Sequence, residues 1–250
     1  MSQRHTEPVA NGRTLGHRAS FWVLGFTVTA AMAVVPLAGR AEESSATTRV
    51  VRDEALTSYR AFRRMHAKSE RFNQEGWLNA WTEFDGREFR YEIVDERGSE
   101  SVRNKVLKAV LKREQELVAE GPARAALTEE NYVFGETETE ADGERTVQIR
   151  PKRKDVMLLD GKMVLTPDGN DVARVEGRLA KNPSFWTSLV NVIRHFARVD
   201  GVRVPVATES VAKVKFAGES TLDVIYEYES INGQPVSVAA RRVLASAAPR

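Results

Sequence analysis

The 250-residue sequence contains no cysteine. That absence removes disulfides, thiolate nucleophiles, cysteine-ligated zinc and iron–sulfur clusters together. It also removes the acylation site that a lipid-anchored lipoprotein needs, and it fits an oxidising compartment. Histidine is scarce: of four, only His66 and His195 lie beyond the first forty residues. A Gly-x-Ser-x-Gly nucleophile elbow and a glycine-rich phosphate loop are both missing. An excess of charge is missing too. The whole chain is only +2, and Arg4, Arg13, Arg18 and Arg40 against Glu7 concentrate the positive charge near the start. The remainder is close to neutral and lacks the basic excess of a nucleic-acid binder. No cofactor, no metal and no nucleic-acid partner is expected, and the chain does not read as an enzyme.

What is present begins with an apolar run. No residue from Ala19 to Gly39 is charged. Its core is Phe21-Trp22-Val23-Leu24-Gly25-Phe26, and Arg13 and Arg18 precede it, as positive-inside orientation requires. Gly39 and Ala41 place small side chains where a signal peptidase reads them, so cleavage after Ala41 is the expectation. The alternative is an uncleaved inner-membrane anchor facing the periplasm. The run is near the lower length limit for a span, and Gly25, Thr27, Thr29 and Pro36 weaken it further. Residues 1–41 therefore read as a signal peptide or N-terminal anchor, and 42–48 as a polar linker.

After the linker, Val51, Ala55, Tyr59, Phe62 and Met65 recur at steps of three and four, which predicts a helix ending near Gly76. From Trp77 the period changes to two, with a hairpin turn at Asp85-Gly86. Ser99 or Ser101 caps a second helix, whose apolar face includes Val102, Val106, Val110 and Leu117 and which closes at Gly121-Pro122. From Tyr132 onward, strands follow one another through short turns at Asp142-Gly143, 167–170, Asp200-Gly201, Gly218-Glu219 and Asn232-Gly233. With no helix between consecutive strands, a doubly wound parallel sheet is excluded and an antiparallel meander is indicated. Residues 237–250, rich in Ala and Arg, read as a flexible tail.

The chemistry-bearing residues are few. His195 lies in an alternating strand. A hydrolytic role would need a Ser or Asp within hydrogen-bond reach of it, and a strand histidine with an ordinary partner is the simpler reading. The acidic series Glu136, Glu138, Glu140, Asp142, Glu144 has the spacing of one strand face. It reads either as a metal site or as a solvated edge that discourages aggregation. The basic turn Pro151-Lys152-Arg153-Lys154-Asp155 reads as a solvated loop or a contact for an anionic headgroup or partner. Aromatic residues are more informative, because most fall on strands. A curved antiparallel sheet with bulky side chains on its concave face holds an apolar ligand when helices cover the opening. The candidates for that face are Trp77, Trp81, Phe89, Tyr91, Phe134, Trp186, Phe196 and Tyr226. The competing account is that they fill a closed core.

The order of elements resembles the periplasmic lipoprotein-carrier superfamily, which includes LolA, LolB and the sensor RseB. The resemblance rests on Tyr132-Val-Phe through Pro151-Lys-Arg-Lys-Asp155, Gly161-Lys-Met-Val-Leu-Thr-Pro-Asp-Gly169, Val175-Glu-Gly-Arg-Leu179, Asn182-Pro-Ser-Phe-Trp186 and Gly201-Val-Arg-Val-Pro205. It implies an α+β fold over residues 49–236: an open, curved antiparallel half-barrel with helices covering the concave face. It also implies a periplasmic protein that holds acyl chains of lipids or lipoproteins, for transport or sensing, with a membrane-bound donor or acceptor protein as partner. The rival expectation is a periplasmic protein-interaction module with a closed core.

Overall fold

The computed structural model describes residues 55–120, 125–185, 187–215 and 218–249; the expected leader and linker and the Gly121-Pro122 stop lie outside them. Three strands come first: β1 (Tyr59–Ser69), β2 (Gln74–Phe84) and β3 (Phe89–Gly98). A helical segment follows, made of α1 (Glu100–Val102), a π-helical turn (Arg103–Leu107) and α2 (Lys108–Glu120). The meander then runs through β4 (Tyr132–Thr139), β5 (Arg145–Pro151), β6 (Leu159–Leu165), β7 (Val172–Leu179), β8 (Thr187–Val199), β9 (Val202–Val214) and β10 (Gly218–Ile231). A short β11 (Gln234–Pro235) and a final α3 (Val238–Ala247) close the described chain.

All the strands join one antiparallel sheet in the order β3-β2-β1-β10-β9-β8-β7-β6-β5-β4, with β11 pairing off β10. Every neighbour is consecutive in sequence except β1 and β10. That one long-range ladder, with Met65 between Leu78 and Val224, joins the N-terminal strands to the end of the meander. The path ends at β3 on one side and β4 on the other, so the sheet is open.

β1 is a correction to the expected first helix. Its buried residues are Tyr59, Ala61, Arg63, Met65, Ala67 and Ser69, a strict period of two. Arg63 conceals that period: read as a surface cation, it breaks the alternation and leaves a spurious helical spacing. On the opposite face, Arg60, Phe62, Arg64, His66 and Lys68 meet water or their neighbours across the ladder. The second helix is present with Ser99 at its cap, its Oγ accepting from Val102 N–H. Residues 238–247 are a helix rather than a flexible tail. Ser237 caps α3, and Leu244 is buried, with Ala240 and Ala247 packed on the same core. Alanine favours helix, and a single apolar stripe suffices to dock it.

Asp142-Gly143, 167–170, Asp200-Gly201 and Asn232-Gly233 lie between strands as expected, whereas Gly218-Glu219 already belongs to β10, paired with Val214 and Lys213. Asp200 and Asn232 carry φ of 50° and 48°, followed by Gly201 and Gly233 at 84° and 75°. Asn232 has a second task. Its Oδ1 accepts from Thr57 N–H at 2.7 Å and its Nδ2 donates to Ala55 O at 2.9 Å, which fastens the segment entering β1.

Where β6 and β7 cross, Gly161 faces Gly177. A Cβ on Gly161 would lie 2.1 Å from Glu176 O and 2.5 Å from the Gly177 Cα. Both are backbone atoms and cannot swing aside. Gly161→Ala is therefore expected to cost about 1–3 kcal/mol, the usual range for forced overpacking, read as a lowered urea midpoint. An unchanged midpoint would show that the two strands do not approach so closely.

Candidate functional site

The sheet's two faces differ in kind. One, the inner face, carries a continuous apolar core that includes Leu78, Ala80, Ile149, Val190, Val204 and Leu222. The helical segment from Glu100 to Glu120 lies against β1, β2 and β3 and adds Leu107, Val110 and Leu111 to that core. Gln115 on α2 donates through Nε2 to Phe89 O at 3.1 Å, supplying a partner to edge strand β3.

Beneath α2 the inner face changes from aliphatic to aromatic and charged. Arg63 is 1% exposed and Glu114, reaching down from α2, is 4% exposed. The guanidinium meets both carboxylate oxygens, Nη1 to Oε2 at 2.5 Å and Nη2 to Oε1 at 2.9 Å. Nη2 also donates to the Tyr59 hydroxyl at 2.7 Å. Three rings surround the cation, with Cζ 4.7 Å from the Tyr226 centroid, 5.1 Å from Phe89 and 6.0 Å from Tyr59. Burial disfavours the Arg63 charge, but Glu114 together with Tyr59 and Tyr226 outweighs it, and the pKa is raised. A second arginine, Arg194, lies on the same face of β8, 4% exposed, with Nε donating to Thr208 Oγ1 at 3.3 Å. Burial lowers its pKa.

The phenols here are held neutral. Burial raises Tyr59, Tyr132 and Tyr228 above their ordinary values. Tyr228 donates to Pro205 O at 2.8 Å, and Tyr132 Oη accepts from Leu159 N–H at 3.1 Å. Because the folded pKa lies above the unfolded one, their contribution to stability is intact below about pH 10 and falls as pH rises through the folded values. Each tyrosine should steepen the loss by up to about 1.4 kcal/mol per pH unit. Urea midpoints measured from pH 8.5 to 11.5 check this; a flat profile would contradict phenol burial.

The eight aromatic candidates separate. Phe89, Tyr91, Phe134 and Tyr226 lie on the inner face or pack against its core, with Phe89 and Tyr91 at 6.2 Å and Tyr226 stacked beside Tyr228 at 6.4 Å. Phe196 follows His195 on β8 opposite a bulge in β9, where Val206 is the extra residue, and packs against the core. Trp77 and Trp81 are a correction. They alternate with the buried Leu78, Ala80 and Thr82 and so lie on the opposite face. There Trp81 meets Phe62 at 5.2 Å, and Trp77 stacks on His66 at 4.8 Å with Arg97 over its ring. Trp186 falls outside the described residues. Arg63, Arg194 and Glu114 escaped the sequence reading, which took charged residues as surface. Their signal was positional: Arg63 falls between Ala61 and Met65, and Arg194 continues Val190 and Val192, on apolar parities.

Elsewhere the polar groups have local roles. His195 Nε2 lies 3.0 Å from Glu209 Oε1 across the β8–β9 ladder. Among the described residues no cluster of three or more metal-ligating side chains is placed to hold an ion. The acidic series is largely exposed, on edge strand β4 and the turn after it, with Glu140 paired to Lys162 and Glu144 to Arg174. The basic turn after β5 lines an outer cleft of about 650 Å³ with Arg150, Lys152, Arg153, Lys154 and Arg178. Arg153 is tied to Asn131 Oδ1 at 2.5 Å and Arg178 to Asp160 at 3.0 Å. No helix among the described residues is long and apolar enough to cross a membrane.

No family model matches the chain, and no curated protein does. Among solved structures it is similar to that of the LolA superfamily protein NE2245 from Nitrosomonas europaea. The two are 10% identical, the match covers 68% of this chain and 84% of that one, and the TM-score is 0.31. The open antiparallel sheet, with the segment from Glu100 to Glu120 in contact with β1, β2 and β3, stands on its own geometry.

Proposed function

We propose that this chain is an exported, periplasmic binding protein of the lipoprotein-carrier type. It holds acyl chains or a similar apolar ligand against the inner face of a curved half-barrel sheet, with the segment from Glu100 to Glu120 as the cover, for lipid or lipoprotein transport or sensing. The observation that supports this most is the arrangement beneath α2. Aromatic side chains from β1, β3 and β10 meet under one helix that is tied down by the Arg63–Glu114 pair. A helix anchored at one buried point over an aromatic surface suits entry of a chain-like ligand. The uncharged run of 19–39 accounts for export, and the outer basic cleft offers an acidic donor or acceptor protein a place to meet the carrier.

A second reading has its own observation. The inner face is packed continuously, with Leu78, Ala80, Ile149, Val190 and Val204 fully buried. A core closed in this way suits a protein-interaction module that docks through the outer cleft. Native mass spectrometry of the full chain, purified from periplasm after export, separates the two. A retained adduct of lipid mass is expected. A bare mass, together with no uptake of a fluorescent fatty acid by folded protein, would replace the carrier with the interaction module.

A further inference from the structure

Two arginines stand on the inner face, Arg63 beneath α2 and Arg194 on β8, the strand against which α3 packs, and one acid answers them. Glu114 gives both oxygens to Arg63. Arg194 has only the Thr208 hydroxyl; among the described residues no carboxylate pairs with it and no ring lies against it. Arg63, Glu114, Tyr132 and Tyr226, all buried as Arg194 is, are near enough to act on its charge. Two more donors there are idle. Arg63 Nε is sealed from solvent without a partner, and the Tyr226 hydroxyl makes no hydrogen bond among the described residues.

A buried guanidinium without a counter-charge is strongly disfavoured, since it loses its water and gains little in return. A planar fork of unused donors also matches the oxygens of a carboxylate or phosphate better than any neutral group. The surroundings select further. Val190 and Val192 precede it on the same buried face of β8, and Val206 and Tyr226 are buried on β9 and β10. A free ion would shed its hydration there and bury no apolar surface, whereas an anion carried on an apolar chain gains from both ends.

We propose that Arg194 heads an interior anion subsite that receives the acidic headgroup, carboxylate or phosphate, of an amphiphile whose chain lies along the aromatic inner face. The subsite rests on the binding of apolar chains proposed above and specifies the ligand class: an acidic amphiphile, not a neutral one. Arg63 and Glu114 hold the helix down, while Arg194 is left to recognise the ligand. Because the contact is buried, added salt should weaken it little.

The test titrates the full chain with decanoate, decanol, acetate and inorganic phosphate by calorimetry. Decanoate is expected to bind at least tenfold more tightly than decanol, and acetate and phosphate not at all at the same concentrations. Arg194→Gln should bring decanoate down to the affinity of decanol and leave decanol unchanged, with Arg194→Lys between the two. Without ligand, Arg194→Met should melt at or above the temperature of the parent, since it removes an unanswered charge. Equal affinities for decanoate and decanol in the parent would overturn the subsite and leave the carrier standing. So would a preference that survives Arg194→Gln. Phosphate binding as tight as decanoate would assign a free-ion site and overturn the amphiphile. Failure of folded protein to bind either chain would overturn subsite and carrier together. A melting temperature of Arg194→Met lowered by several degrees, or an Arg194→Gln that does not fold, would make Arg194 a structural residue and overturn the subsite.

Discussion

Glu114→Leu should destabilise the protein by about 3–5 kcal/mol, because it strands the Arg63 guanidinium in the interior. Arg63 and Glu114 are both nearly inaccessible, whereas the other ion pairs between the helical segment and the sheet, Arg103 and Lys108 with Glu96, are partly exposed. Removing the acid leaves a cation enclosed by Tyr59, Phe89 and Tyr226 with only the Tyr59 hydroxyl to receive it. Replacing both partners is a different matter. Arg63→Met with Glu114→Leu removes the unpaired charge together with its counter-charge, and buried pairs exchanged for apolar residues are often neutral or stabilising. The double variant should therefore recover most of the loss. Urea denaturation of the four proteins in the cycle gives the coupling directly. Two single variants whose effects merely add would show that the pair is not coupled. The consequence for function follows from position: if this pair fastens the cover, the single variants should also speed exchange of the amide hydrogens in α2.

Much of this architecture was legible in the sequence, and each failure has its own physical cause. The hairpin turns were readable because Asp-Gly and Asn-Gly supply the positive φ that two-residue turns need. The meander from Tyr132 was readable because its strands alternate and no helix interrupts them. β1 was not, because the alternation of Tyr59, Ala61, Met65 and Ala67 is broken by a buried Arg63. Periodicity assumes that charge marks the surface, and at Arg63, Glu114 and Arg194 the fold violates that assumption. α3 was missed for the opposite reason: its stripe is narrow, with Leu244 its one buried residue. Trp77 and Trp81 show the limit of counting aromatics. Side chain size identified them as candidates, but the strand's parity, set by the β1 register, turns both to the outer face. Local rules thus give most of the elements, while the N-terminal strands join the meander through the β1–β10 ladder, whose partners are far apart in sequence.

Affinity for saturated fatty acids should rise about fourfold for each added methylene, until the chain outgrows the inner face. Burying one CH₂ group contributes about 0.8 kcal/mol, and about 1.4 kcal/mol is a factor of ten in binding. From hexanoate to dodecanoate the cumulative gain is about 5 kcal/mol, more than a thousandfold, less the cost of ordering the longer chain. No other ligand series is expected to produce so large a span. A chain held only at the surface would show a far shallower slope, because most of its methylenes would stay in water. Tyr91→Ala and Phe134→Ala should flatten the series by trimming the surface the chain lies on; both residues are only partly buried, so the fold should tolerate their loss. Trp77→Ala and Trp81→Ala are the internal control. On the other face Trp77 stacks on His66, and Trp81 meets Phe62 edge-to-face beneath Arg60, so the slope should be that of the parent. Calorimetric titration of decanoate and its homologues against the parent and these four variants measures all of it. A slope equal to the parent's in the inner-face variants, or flattened instead in the tryptophan variants, would place the chain on the wrong side of the sheet for this account.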